Sequence, residues 1–207
     1  MSRVRHGAVY VAFLLSGLTA LIYQIIWSRY LTLLVGGTSV AHTIVLATFM
    51  GGLAFGNSFF GRRADRPGTD RLRLYALLEV GIGLCCLLFP AFFDGVSRAY
   101  LALAGVTGPG SLANQFLKVL LAAASMFVPC ALMGGTLPTL AKYVVDSMSG
   151  LGVRIGWLYF INTAGAVFGC VLGGFYVVEG VGLELGMIAG GVVNLAIGAL
   201  FYFWGQR

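Results

Sequence analysis

The sequence predicts an all-α, polytopic integral membrane protein. Three observations carry that reading. Hydrophobic residues make up 59% and charged residues 10% of the 207-residue chain, against about 45–50% and about 25% in soluble domains, so no soluble core could absorb the apolar surface. Mean hydropathy is correspondingly high, at +0.93. Charge-poor runs of about 20 residues recur, each long enough to cross roughly 30 Å of hydrocarbon at about 1.5 Å per residue. Polar or Gly-rich turns separate them, and residues 1–207 read as a single transmembrane helical domain.

The first span is expected at about residues 8–34. Arg3 and Arg5 before it imitate a secretory signal, but the apolar run is too long and lacks a small-residue cleavage site, so it reads as a retained helix. Gly36-Gly37-Thr38-Ser39 supplies a turn, and the second span, about 40–60, ends in the hinge Gly61-Arg62-Arg63-Ala64-Asp65-Arg66-Pro67-Gly68. A third span covers about 72–93. The apolar piece at about 96–106 is too short to cross and is expected to be interfacial or re-entrant. Gly108-Pro109-Gly110-Ser111 then breaks the chain, and a long fourth span, about 116–145, contains Pro129 and Pro138. The fifth and sixth spans are expected at about 155–178 and 183–204.

Basic residues set the expected orientation. Arg3, Arg5, Arg62, Arg63, Arg66, Arg71, Arg73, Lys142, Arg154 and Arg207 fall on one side of this layout, and only Arg98 and Lys118 on the other. By the positive-inside rule both termini and the Arg-rich hinge are cytoplasmic, and a bacterial inner membrane is the expected location. The formal charge of +6 then reflects topology and anionic lipid, with no nucleic-acid partner implied. Cys85, Cys86, Cys130 and Cys170 all lie within spans and are not spaced as metal ligands or as a disulfide framework, so they read as small packing residues. No metal and no cofactor is expected.

Glycines recur at four-residue steps, in Gly52 and Gly56, in Gly165, Gly169 and Gly173, and in Gly182, Gly186, Gly190 and Gly198 with Asn194 in the same row. Small residues four apart share a helix face and let backbones approach, which is how helices associate in lipid. These faces are expected to pack helices, within the chain or against partner subunits, with Asn194 hydrogen-bonding across the contact.

Ionisable and amide groups inside spans are costly unless partnered or hydrated. Glu79, Asn162 and Thr136 fall at similar depth, roughly 10–13 Å from the inner helix ends at 1.5 Å per residue, and could form one polar layer. That layer would either pin helix packing or line a cavity. Pro138 releases the carbonyl of Gly134, so the backbone there is expected to kink. Arg29 lies too far from Glu79 to touch it. Glu179, level with Arg29 near the opposite surface, is its candidate partner, and snorkelling to the interface is the alternative. Gln24 is expected to bond a neighbouring helix, and His42 to be a surface residue.

The hinge, through Gly61, Asp65 and Arg66, resembles the signature loop between the second and third helices of the major facilitator superfamily. More specifically, Ser16-Gly17-Leu18-Thr19-Ala20-Leu21-Ile22-Tyr23-Gln24-Ile25-Ile26-Trp27, Leu77-Leu78-Glu79-Val80-Gly81-Ile82-Gly83, Met133-Gly134-Gly135-Thr136-Leu137-Pro138 and Asn162-Thr163-Ala164-Gly165-Ala166-Val167-Phe168-Gly169 resemble, in order, the membrane region of fused facilitator-like spermidine synthases. That resemblance implies a six-helix half of a facilitator fold, which in the family usually precedes a cytoplasmic aminopropyltransferase domain. Such a transferase needs a Gly-rich turn after a strand and acidic residues to hold its substrates. The seven acidic residues here lie mostly in loops, and Gly81-Ile82-Gly83 lies inside a helix, so no enzyme activity is expected of these residues.

The expected function is therefore a non-catalytic membrane module, an anchor or structural subunit of a larger complex that contacts lipid and either copies of itself or other membrane subunits. One alternative is a half-transporter that dimerises to bind or move a small, polyamine-like solute past Glu79, Asn162 and Thr136. The other is the membrane half of an aminopropyltransferase whose catalytic domain is missing. In the structural reading the hinge clamps the second and third helices.

Overall fold

The computed structural model describes residues 3–107, 111–147 and 151–204. The expected break at Gly108, Pro109 and Gly110 and the basic terminal Arg207 lie outside them. Among the described residues every element is helical: α1 (Arg3–Val35), α2 (Thr38–Ala64), α3 (Arg71–Thr107), α4 (Leu112–Ser147), α5 (Leu151–Leu172) and α6 (Leu183–Trp204). Six helices among the described residues are long and apolar enough to cross a membrane. The chain is an integral, all-α membrane protein.

Two elements differ from expectation. The piece at 96–106 is not a separate segment, because α3 runs unbroken from Arg71 to Thr107 through Pro90. Local bonds hold this extension, with Ser97 Oγ donating to Phe93 O at 2.9 Å and Arg98 paired to Asp94 one turn earlier at 2.6 Å. The end of the fifth span widens into a π-helical segment, Gly173–Val181, continuous with α5. It closes where the Gly182 N–H donates to Val177 O, five residues back, at 2.8 Å. Gly182 at φ +91° then turns the chain into α6, in a backbone region that favours glycine.

Side-chain and backbone groups shape the other turns. Gly36, at φ +84°, ends α1 and its N–H donates to Thr32 O. Asp70 caps α3 by accepting the Arg73 N–H at 3.0 Å, and Ser111 Oγ accepts the Asn114 N–H at the start of α4. In the hinge, Arg71 Nε donates to Ala64 O and Thr69 Oγ1 to Arg63 O, joining the end of α2 to the start of α3. Asp65 pairs with Lys142 of α4, so the hinge also ties α2 to a third helix. Both partners are about half exposed, 47% and 53%. Asp65→Asn is accordingly expected to lower stability by less than about 1 kcal/mol in a denaturant titration in detergent, an effect that salt diminishes.

The helices do not pack in chain order. α2 packs on α4, α4 on α3, α3 on α6 and α6 on α1, which returns to α2, while α5 lies along the outside of α1. Two apolar clusters fill this ring. One, toward the hinge, contains Phe13, Tyr75, Leu140, Leu158 and Phe201. The other, away from it, contains Trp27, Phe49, Ile82, Phe89 and Met126.

The glycine rows are spent inside this packing. An added Cβ at Gly165 or Gly169 would strike the backbone of Leu14 or Leu18 on α1, and at Gly173 the side chain of Ile25. Gly52 and Gly56 meet Cys130 and Ala131 of α4, Gly190 meets Tyr23, Gly186 meets Ile26, and Gly198 meets Ala76 and Val80. Gly182 serves the turn instead. These faces are thus not open to partner subunits. The backbone at Gly134 is closed in the same way, because Gly134 is buried against the backbone of Leu53 on α2.

Candidate functional site

Sequence spacing puts polar side chains between the two apolar clusters. Along α1, Ser16 and Thr19 fall between Phe13 and Ile22; along α3, Glu79 falls between Tyr75 and Ile82; along α6, Asn194 falls between Met187 and Ile197. All four side chains are buried. Tyr23 OH donates to Asn194 Oδ1 at 2.6 Å, and Asn194 Nδ2 donates to Glu79 Oε2 at 2.6 Å, so one amide links α1, α6 and α3. Glu79 Oε1 and Tyr75 OH are buried and meet no partner in good hydrogen-bond geometry, although the two side chains adjoin each other.

This network corrects the expected layer of Glu79, Asn162 and Thr136. Thr136 shares Glu79's level, between Met133 and Leu140, but its hydroxyl donates to Met133 O in its own helix at 2.7 Å. Asn162 Nδ2 donates to Phe13 O at 3.0 Å, fastening α5 to α1. The reason is azimuth: α5 lies outside α1, so a residue on it can match Glu79 in depth without facing α3. Tyr23, and Asn194, which the sequence placed in a glycine row, are the groups that reach it.

A second polar constellation lies at the end of the bundle away from the hinge. Gln24, Ser28 and Arg29 of α1, His42 of α2 and Cys170 of α5 line a cleft of about 370 Å3 between those three helices. Gln24 and Ser28 are four residues apart and share a stripe of α1, and Arg29 flanks it. Ser28 Oγ and His42 Nε2 lie 3.0 Å apart, joining α1 to α2 across the cleft.

Arg29 does not pair with Glu179. Both are exposed, and among the described residues Arg29 makes no ion pair or hydrogen bond. The π-helical segment turns Val177 toward Gly186 of α6 and leaves Glu179 on the outer side. Gln24 likewise has no hydrogen bond within the described chain, contrary to its expected bond to a neighbouring helix. Of the hinge residues, Asp65 holds Lys142, Gly61 sits against Pro138 at 3.6 Å from an added Cβ, and Arg66 is exposed.

Compared with family models, with curated proteins and with solved structures, the chain matches none.

Proposed function

We propose that this chain is a non-catalytic membrane module, an anchor or structural subunit of a larger membrane complex, as the membrane region of the spermidine synthase-like proteins it resembles would be. The observation that carries the reading is the outward face of α5. Only 17% of its most apolar stretch is buried inside the chain, against 50% for α1. Trp157, Phe160 and Phe168 stand exposed on it. Phe160 lies about 14 Å along α5 at 1.5 Å per residue, deeper than the interfacial belt where Trp and Tyr gather. Rigid aromatics of this kind are the side chains on which protein interfaces concentrate their energy.

The half-transporter reading has less support. Glu79 is fully buried beneath Asn194 and Tyr23, so a solute path beside it has no opening in this conformation. Aminopropyl transfer, on the same reading, belongs to residues other than these. The distribution of basic residues favours the hinge in the cytoplasm, and a bacterial inner membrane is the location proposed for the chain.

Extraction in mild detergent is expected to yield a complex heavier than one copy of the chain, and Trp157→Ala combined with Phe160→Ala to release a folded monomer. Mass measurement of the detergent complex decides it. A wild-type protein that remains a single copy at every concentration would remove the reading.

A further inference from the structure

We propose that the cleft between α1, α2 and α5 binds the phosphate headgroup of an anionic phospholipid from the leaflet away from the hinge. The inference is independent of the partner face, which is argued from Trp157 and Phe160 nearer the opposite end of α5. Its basis is two polar side chains that point into one cleft without a partner in the described chain, the Arg29 guanidinium and the Gln24 amide. A polar group at membrane depth is stable only where it meets another polar group or water. Nothing acidic lines the cleft to neutralise Arg29.

The cleft is graded along the membrane normal. Arg29 lies roughly 9 Å and Leu21 roughly 21 Å from the Val35 end of α1, at 1.5 Å per residue. The charged and ring groups, Arg29 and His42, occupy its outer part with Ser28, while Leu21 and Ile25 wall its deeper part around the single Gln24 amide. This is the profile of an amphiphile with a charged head and an apolar tail. Arg29 supplies a planar set of donors suited to phosphate oxygens, and Gln24 Nε2 supplies a further donor below it. A free phosphate ion would use the same donors but leave the apolar walls without an occupant.

Native mass spectrometry of the detergent-purified protein, titrated separately with phosphatidylglycerol, phosphatidylcholine and inorganic phosphate, tests the assignment. Wild-type protein is expected to retain one phosphatidylglycerol and to bind phosphatidylcholine at least tenfold more weakly. Arg29→Gln should weaken phosphatidylglycerol binding at least tenfold, whereas Arg98→Gln, which removes an exposed arginine paired elsewhere, should leave it unchanged. Leu46→Trp, at the exposed rim, should reduce binding by occupying the cleft while keeping the charge. Equal binding by wild type and Arg29→Gln, retention in Leu46→Trp, or equal affinity for phosphatidylcholine would overturn the proposal. Inorganic phosphate that matches phosphatidylglycerol would assign the cleft to a soluble anion and overturn the lipid.

Discussion

Gly169→Ala is expected to melt the bundle at markedly lower temperature, and Gly156→Ala, in the same helix, to raise its stability. At Gly169 the new Cβ falls inside contact distance of the Leu18 backbone, which belongs to the middle of α1 and cannot step aside as a flexible side chain would. Overpacking a closed contact costs about 1–3 kcal/mol and sometimes more. With backbone on both sides the upper end applies, about 3 kcal/mol. At Gly156 nothing lies within 4 Å of the added atom. There the substitution removes glycine's unfolded-state freedom from a helix interior, for a gain of about 0.5–1 kcal/mol. Thermal unfolding followed by far-UV circular dichroism in one detergent separates the two variants by sign. Equal shifts would mean that α5 and α1 do not touch at Gly169.

Asn194→Leu is the second large effect. The asparagine serves two partners, accepting from Tyr23 OH and donating to Glu79 Oε2, both at 2.6 Å. Its loss leaves the Tyr23 hydroxyl and a second Glu79 oxygen buried beside the already unpartnered Oε1. At about 1–3 kcal/mol for each of the two orphaned polar groups, the expected loss is about 2–6 kcal/mol. That exceeds the roughly 1.2 kcal/mol that two average interhelical hydrogen bonds in a membrane protein would contribute, because Tyr23 and Glu79 stay buried with their polar atoms unpaired. Glu79→Gln should be mild, below about 1 kcal/mol, since an amide carbonyl still accepts from Asn194 and its NH2 adds a donor beside Tyr75. A double-mutant cycle between positions 79 and 194 should show coupling, and strict additivity would contradict the hydrogen bond.

The helices were legible because hydrocarbon thickness imposes a run length that sequence displays directly. The extension of α3 was not, since Pro90, Asp94 and Gly95 read as the end of a span, although the helix continues through all three. The π-helical segment was hidden because its composition matches that of an ordinary span. Depth along each helix placed Glu79 and Thr136 correctly at one level. It could not give the rotation of each helix or the order of neighbours, so it named Asn162 in place of Asn194. The glycine rows had the converse difficulty: their spacing identified tight contacts, while nothing local distinguished a neighbour in the chain from a separate subunit. The cleft carried a weak signal in the run of polar residues Gln24, Ser28 and Arg29 on α1, but His42 and Cys170 join it only through tertiary packing.

Because α3 closes on α6, the Glu79 hydrogen bond spans 115 residues of sequence. At about 5–20 residues synthesised per second, Asn194 emerges on the order of 6–23 s after Glu79. During that interval a carboxyl side chain stands on a newly made helix whose proper partner does not yet exist. The order of packing therefore imposes a waiting period on biogenesis, in which α3 must be shielded from lipid or remain near the aqueous boundary until α6 arrives.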